Sequence, residues 1–176
     1  MSDVAIEFRQ CSELRVAGRT LHGMAVPFGR AADLGAFSEQ FLPGSLTASV
    51  ARDDVRAYVD HQPDRLLGRT KSGTLRLRET AAGLEFEVDA PATSHGNDLV
   101  ELARRNDLSG VSVGFVSDRE TWPAPNRRNI HQATLREISI LTGADPAYPN
   151  TSVAVRSRNQ AASREVAMRL RILALI

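Results

Sequence analysis

The stretch GTLRLRETAAGLEFEVDA, residues 73–90, alternates apolar and polar side chains on both flanks of a TAAG turn signal. A period of two is the mark of a half-buried strand, and two such runs around a turn signal form a β-hairpin. The same pattern constrains most of the chain. VAIEFRQ (4–10) and LRVAGRTLHGMAVPFG (14–29) read as two or three strands broken at Gly18 and Gly23. DVRAYVDH (54–61), GVSVGFVS (110–117) and IHQATLREISILTG (130–143) read as further strands.

Helices are few. FLPGSLTASVAR (41–52) carries a Pro-Gly turn signal and then a short helical segment. SHGNDLVELARRND (94–107) is the clearest internal helix. Its Leu99, Leu102 and Ala103 share a face, and Arg104 and Arg105 lie near the C-terminal end, where the helix dipole favours cations. DRETWPAPNRRN (118–129), with two prolines and several charges, predicts a mobile loop. ADPAYPNTSVAV (144–155) reads as loop and then strand, and NQAASREVAMRLRILALI (159–176) as a C-terminal helix. In that helix Ser163 is the candidate cap, and Val166, Leu170 and Leu173 form an apolar stripe suited to a partner or a second copy. The expected organisation is one domain over 1–158 and a helical tail over 159–176, in a fold that is mainly β with peripheral helices.

Composition excludes several classes. The 176 residues are 42% hydrophobic and 24% charged, ordinary for a globular protein. A net charge of +1 predicts no long-range attraction to nucleic acid or anionic lipid. One cysteine, Cys11, rules out an internal disulfide and a multi-cysteine zinc site. No apolar run approaches the ~20 residues of a membrane span, and MSDVAIEFRQ lacks the character of a signal peptide, so a cytoplasmic setting is expected. The four histidines are too scattered for a metal site, and His95 reads as a loop or capping residue. No P-loop, dinucleotide-binding glycine pattern or HExxH occurs, so no cofactor or metal is expected.

Alternation splits each strand into faces. In GVSVGFV, Val111, Val113 and Phe115 form an apolar face, and Ser112 shares the other with Gly110 and Gly114. That predicts a hollow around the serine, open to a substrate. Strict alternation puts His61 at the end of the Val55, Ala57, Val59 row, and Glu137 on a row with Ala133, Leu135, Ser139 and Leu141. A carboxylate on a core-facing row needs a partner. Arg69, Arg76 and Arg136 are candidates for a purely structural pairing. The alternative is chemical: a serine, a histidine and an acid are the parts of an acyl-transfer triad, in which imidazole takes the hydroxyl proton and the carboxylate fixes the imidazole. GVSVG also matches G-x-S-x-G literally, but that elbow requires a strand, a sharp turn and a helix, whereas the chain here continues as strand.

Four segments, in order, resemble the prohead proteases of HK97-type tailed bacteriophages, a family also found in prophages and gene transfer agents. They are GMAVPFG with FSEQFLPGSL, VDHQPDRLLGRTKSGTLRLRETAAGLEFEVDAP, GNDLVELARRNDLSGVSVGF, and LREISILTGADPAYPNTSVAVR. The likeness covers roughly residues 5 to 158. It implies a serine endopeptidase related to the herpesvirus assembly proteases, built as a closed β-barrel with surrounding helices. Such an enzyme cuts scaffold and capsid-precursor segments, and often itself, inside the immature shell in the bacterial cytoplasm. Residue by residue, the resemblance assigns Ser112 as nucleophile, His61 as general base and Glu137 as the acid, with Asp60 and Asp118 as fallback acids. Gly110, Gly114 and Gly143 are the candidates for the substrate groove and oxyanion hole, Gly143 through an unusual turn. The implied partners are the capsid precursor, the scaffold protein and a second copy of the chain. The rival readings are a catalytically inactive β-barrel scaffold or assembly-binding module, and a hydrolase of small esters.

Overall fold

The computed structural model describes residues 6–11 and 14–143. The expected C-terminal strand and helix, and the tail over 159–176, lie outside the described residues. Eleven strands dominate: β1 (Glu7–Cys11), β2 (Leu14–Ala17), β3 (Thr20–Pro27), β4 (Ala32–Asp33), β5 (Ser38–Phe41), β6 (Arg56–Val59), β7 (Gln62–Arg69), β8 (Leu75–Glu79), β9 (Gly83–Asp89), β10 (Gly110–Ala124) and β11 (Arg127–Leu141). Among the described residues, two α-helices, α1 (Thr47–Arg52) and α2 (Ser94–Arg104), and a short 3-10 helix at Thr70–Ser72 complete the set. None among the described residues is long and apolar enough to cross a membrane.

The strands form a seven-stranded and a four-stranded sheet. The small sheet, β2-β3-β9-β8, is antiparallel throughout, and its β8–β9 hairpin is the one written in the alternation of residues 75–89. In the large sheet β10 lies between β1 and β11, both antiparallel to it. The far edge of β11 is shared by two short parallel partners, β5 at its start and β6 at its end. Among the described residues the ladders define two sheets, and the fold is mainly β as expected. β1 lies beside β3, and β7 beside β8 and β9, without joining them in a ladder.

Both sheets send their apolar faces into one core. Val111, Val113, Phe115, Ile138 and Ile140 from the large sheet meet Leu21, Leu84, Phe86 and Val88 from the small one, all essentially without solvent contact. Leu99 and Val100 of α2 add to it. The helix starts where Thr93 accepts the Gly96 N–H at 3.3 Å, a side-chain cap that satisfies one orphan donor. Gly23 does not break a strand; it pairs with Phe86 inside β3.

The segment 118–129, expected to be a loop, is instead the outer half of the β10–β11 hairpin, turning at Pro125 and Asn126. Two of its charges, Glu120 and Arg128, are structural. Arg128 is 2% exposed and donates to Glu7 (Nη2–Oε1, 2.8 Å), Glu39 (Nη1–Oε2, 2.7 Å) and Glu120 (Nε–Oε2, 2.9 Å). Arg9 bridges Glu39 with Nη2 at 2.9 Å and Glu7 at 3.0 Å. This cluster ties β1, β5, β10 and β11 together at one end of the core.

Candidate active site

His61 reaches the site through a turn, not through the strand. Asp60 and His61 are the two central residues of the β6–β7 hairpin, with φ of 49° and 59°. Positive φ at both positions is the signature of a type I′ turn, which usually needs Asn or Asp followed by Gly. Here the conformation is imposed by four hydrogen bonds. The Asp60 N–H donates to the Ile140 carbonyl at 3.0 Å, and the Asp60 carboxylate accepts from the Thr142 N–H at 2.8 Å and from its hydroxyl. The His61 N–H donates to Ser139 Oγ at 3.2 Å. Strand alternation therefore ends at Val59. The expected row breaks there: Val55, Ala57 and Val59 are in the core, while the imidazole lies against Glu137 and Phe8 on the opposite side of the large sheet.

Glu137 leaves its expected row for a different reason. Gly114 pairs with Glu137 but the next residue, Phe115, pairs with Leu135, so Arg136 is the extra residue of a β-bulge. The bulge flips the phase of β11. Ala133 and Leu135 face the core before it, Ile138 and Ile140 after it, and Glu137 and Ser139 emerge on the other face. There Glu137 Oε1 accepts a hydrogen bond from His61 Nδ1. The arginines considered as its partners are engaged elsewhere: Arg69 with Asp54, and Arg76 with Glu87 and Asp89. Arg136 lies exposed in the bulge. Of the fallback acids, Asp60 holds Thr142, and Asp118 accepts from Thr134 Oγ1 at 2.7 Å.

Ser112 lies directly across from Ser139 on β11 and Gln10 on β1, so its side chain shares the face of Glu137, Ser139 and Phe8. It is 3% exposed, and among the described residues its hydroxyl makes no hydrogen bond to the His61 ring. The hollow expected on its Gly114 side is filled. A Cβ on Gly114 would fall 2.7 Å from Glu137 Cγ and 2.9 Å from Phe8 Cε1, so this glycine makes room for the acid and the aromatic ring. Gly110 has φ of 139°, a backbone setting that favours glycine. Valine at either position would therefore disturb the backbone or the packing of the acid rather than act as a steric block alone. Gly143 is exposed, with open space about it, and the segment that follows it lies outside the described residues.

Two contributors escaped the sequence reading of the site. Phe8 packs edge-on against the His61 ring, centroids 4.5 Å apart and planes at 72°. Ser139, placed correctly beside Glu137 by strand period, donates to Glu137 Oε1 at 3.3 Å. The other histidines have separate roles: His95 Nε2 lies 3.0 Å from the Leu66 carbonyl, and His131 Nε2 2.8 Å from Thr121 Oγ1.

A carboxylate holding Nδ1 of a histidine, with a serine on the same face, is the equipment of a serine hydrolase. The family model described as caudovirus prohead serine protease matches residues 7–165, and the chain belongs to that family. No curated protein matches the chain in sequence. Among solved structures it is similar to the bacteriophage T4 capsid assembly protease, at 11% identity and a TM-score of 0.49, over 80% of this chain and 97% of that one.

Proposed function

We propose that the chain is a serine endopeptidase in which Ser112 is the nucleophile, His61 the general base and Glu137 the acid. The observation that carries this reading is the His61 Nδ1–Glu137 pair on the face of the sheet that holds Ser112. Because the carboxylate accepts from Nδ1–H, the lone pair is left on Nε2, the nitrogen free to take a proton. As a peptide binds, Nε2 meets the Ser112 hydroxyl, a contact that commonly forms only in the substrate complex. The hydroxyl proton passes to Nε2 while Oγ bonds to the carbonyl carbon. The imidazolium then returns that proton to the leaving amine as the C–N bond breaks. Water, deprotonated by the same nitrogen, releases the acyl group and restores Ser112.

The substrates we propose are scaffold and capsid-precursor segments, and the chain itself, cut within the immature prohead in the bacterial cytoplasm. Family membership supports this choice. The test is co-expression with the capsid precursor from the same genome. The wild type shortens the precursor, and Ser112→Ala leaves it full length. Normal processing by Ser112→Ala would overturn the nucleophile assignment, and an intact precursor with the wild type would favour a non-enzymatic assembly module.

A further inference from the structure

One hydroxyl touches both the proposed base and the proposed acid. Ser139 Oγ accepts the backbone N–H of His61 at 3.2 Å and donates to Glu137 Oε1 at 3.3 Å. That carboxylate oxygen is the same one that receives His61 Nδ1–H. Ser139 is completely buried and sits directly across the ladder from Ser112. It lies beyond the bulge at Arg136, in the stretch of β11 that pairs in parallel with β6, the strand leading into the His61 turn.

We infer that Ser139 is a positioning residue that locks the imidazole and the carboxylate into one geometry. Two features require such a lock. His61 has a φ of 59°, a setting that a non-glycine residue holds only when its surroundings over-determine it. The Ser139 hydroxyl supplies one of those restraints by binding the His61 amide. A carboxylate with one oxygen on Nδ1–H can also rotate about its terminal torsion, which is broad and roughly two-fold. The second donor on Oε1 opposes that rotation. The same strand thus carries the acid, fixes its orientation and anchors the turn that bears the base.

This inference rests on the serine endopeptidase reading, and the experiment separates the two. Wild type, Ser139→Ala and Ser139→Cys are compared by three measurements: the rate of Ser112 modification by a fluorophosphonate, the far-downfield proton resonance of His61 Nδ1–H, and hydrogen exchange of the His61 amide. Alanine removes the hydroxyl, and cysteine keeps a similar volume with a weak hydrogen-bonding group. Both variants should melt cooperatively and be modified about tenfold more slowly, the effect of losing about one hydrogen bond. Their Nδ1–H resonance should shift or broaden, and the His61 amide should exchange faster. Modification at the wild-type rate, or slowed modification with an unchanged resonance, overturns the inference. Should the variants fail to fold, rapid exchange of the His61 amide in the wild type overturns it as well. Absence of Ser112 modification in the wild type defeats the endopeptidase reading instead, while the resonance and the exchange rate still decide the role of Ser139.

Discussion

His61 occupies a turn position that ordinarily belongs to glycine, with φ of 59° following Asp60 at 49°. A left-handed setting costs a non-glycine residue roughly 1–2 kcal/mol. The bonds from Asp60 to Thr142 and from the His61 amide to Ser139 hold the turn against that cost. The strain can be read separately from the loss of the imidazole. His61→Gly and His61→Ala both lack the ring, yet the glycine variant should be the more stable by about 1 kcal/mol in urea unfolding. Equal stability would show that the turn is not strained. Glu137→Gln should lower kcat on the order of 10^4-fold with little change in KM, as loss of the acid favours the wrong imidazole tautomer. Gly114→Ala places a Cβ 2.7 Å from Glu137 Cγ, so the acid must move. A displacement of about 1 Å in catalytic geometry costs about 10^2-fold, and kcat/KM on a peptide substrate measures it.

At the scale of elements, β1 has a double duty. Phe8 faces the site and packs on His61, while Glu7 and Arg9, across from Phe115 and Val113, point into the core. The buried ion cluster is what fastens this strand. Glu39, 2% exposed, is its centre, bound by both Arg9 and Arg128. Glu39→Ala leaves two buried guanidinium groups without that partner and should cost about 3–5 kcal/mol, read from the urea midpoint. The cluster also sets the acid limit of the fold. Burial is the largest single influence and pushes the Glu120 carboxyl up, but its hydrogen bond to Arg128, the Arg128 charge and its further hydrogen bonds together outweigh burial and bring it down from an ordinary 4.5 to about 2. Glu7 moves in the same direction: burial raises it, and Arg128 with Arg9 lowers it further than burial raises it. Between about 4.5 and about 2 the unfolded chain therefore binds more protons than the folded one, so stability is full above that window and falls with pH through it. Asp54, held down to about 2 by its hydrogen bond to Arg69, titrates over a similar range. Glu120→Gln should therefore flatten the acid limb only in part, as followed by urea melts at several pH values. An unchanged limb would remove the cluster from the account.

Across the whole molecule, what alternation encodes was legible and what depends on distant pairing was not. Residues 75–89 spell out their hairpin because each side chain's face follows from the neighbour two positions away. The Ser112 strand was legible for the same reason. His61 and Glu137 were picked out as reactive residues, but strict alternation put both on core rows. The turn at residues 60–61 and the bulge at Arg136, neither of which has a glycine to announce it, move them to the other face. The segment 118–129 looked like a loop because its charges seemed exposed. Arg128 is buried against Glu7, 121 positions earlier, a contact no local pattern contains. The parallel pairing of β11 with β5 and β6 is equally non-local. All of these pairings converge on the consequence we propose, a serine hydroxyl made reactive by a histidine from a distant turn. The most direct check is mass-spectrometric mapping of fluorophosphonate modification on the wild type and on His61→Ala. Phosphonylation of Ser112 in the wild type and its loss in the variant is the expected result. An unmodified Ser112, or one modified equally without His61, would contradict the account.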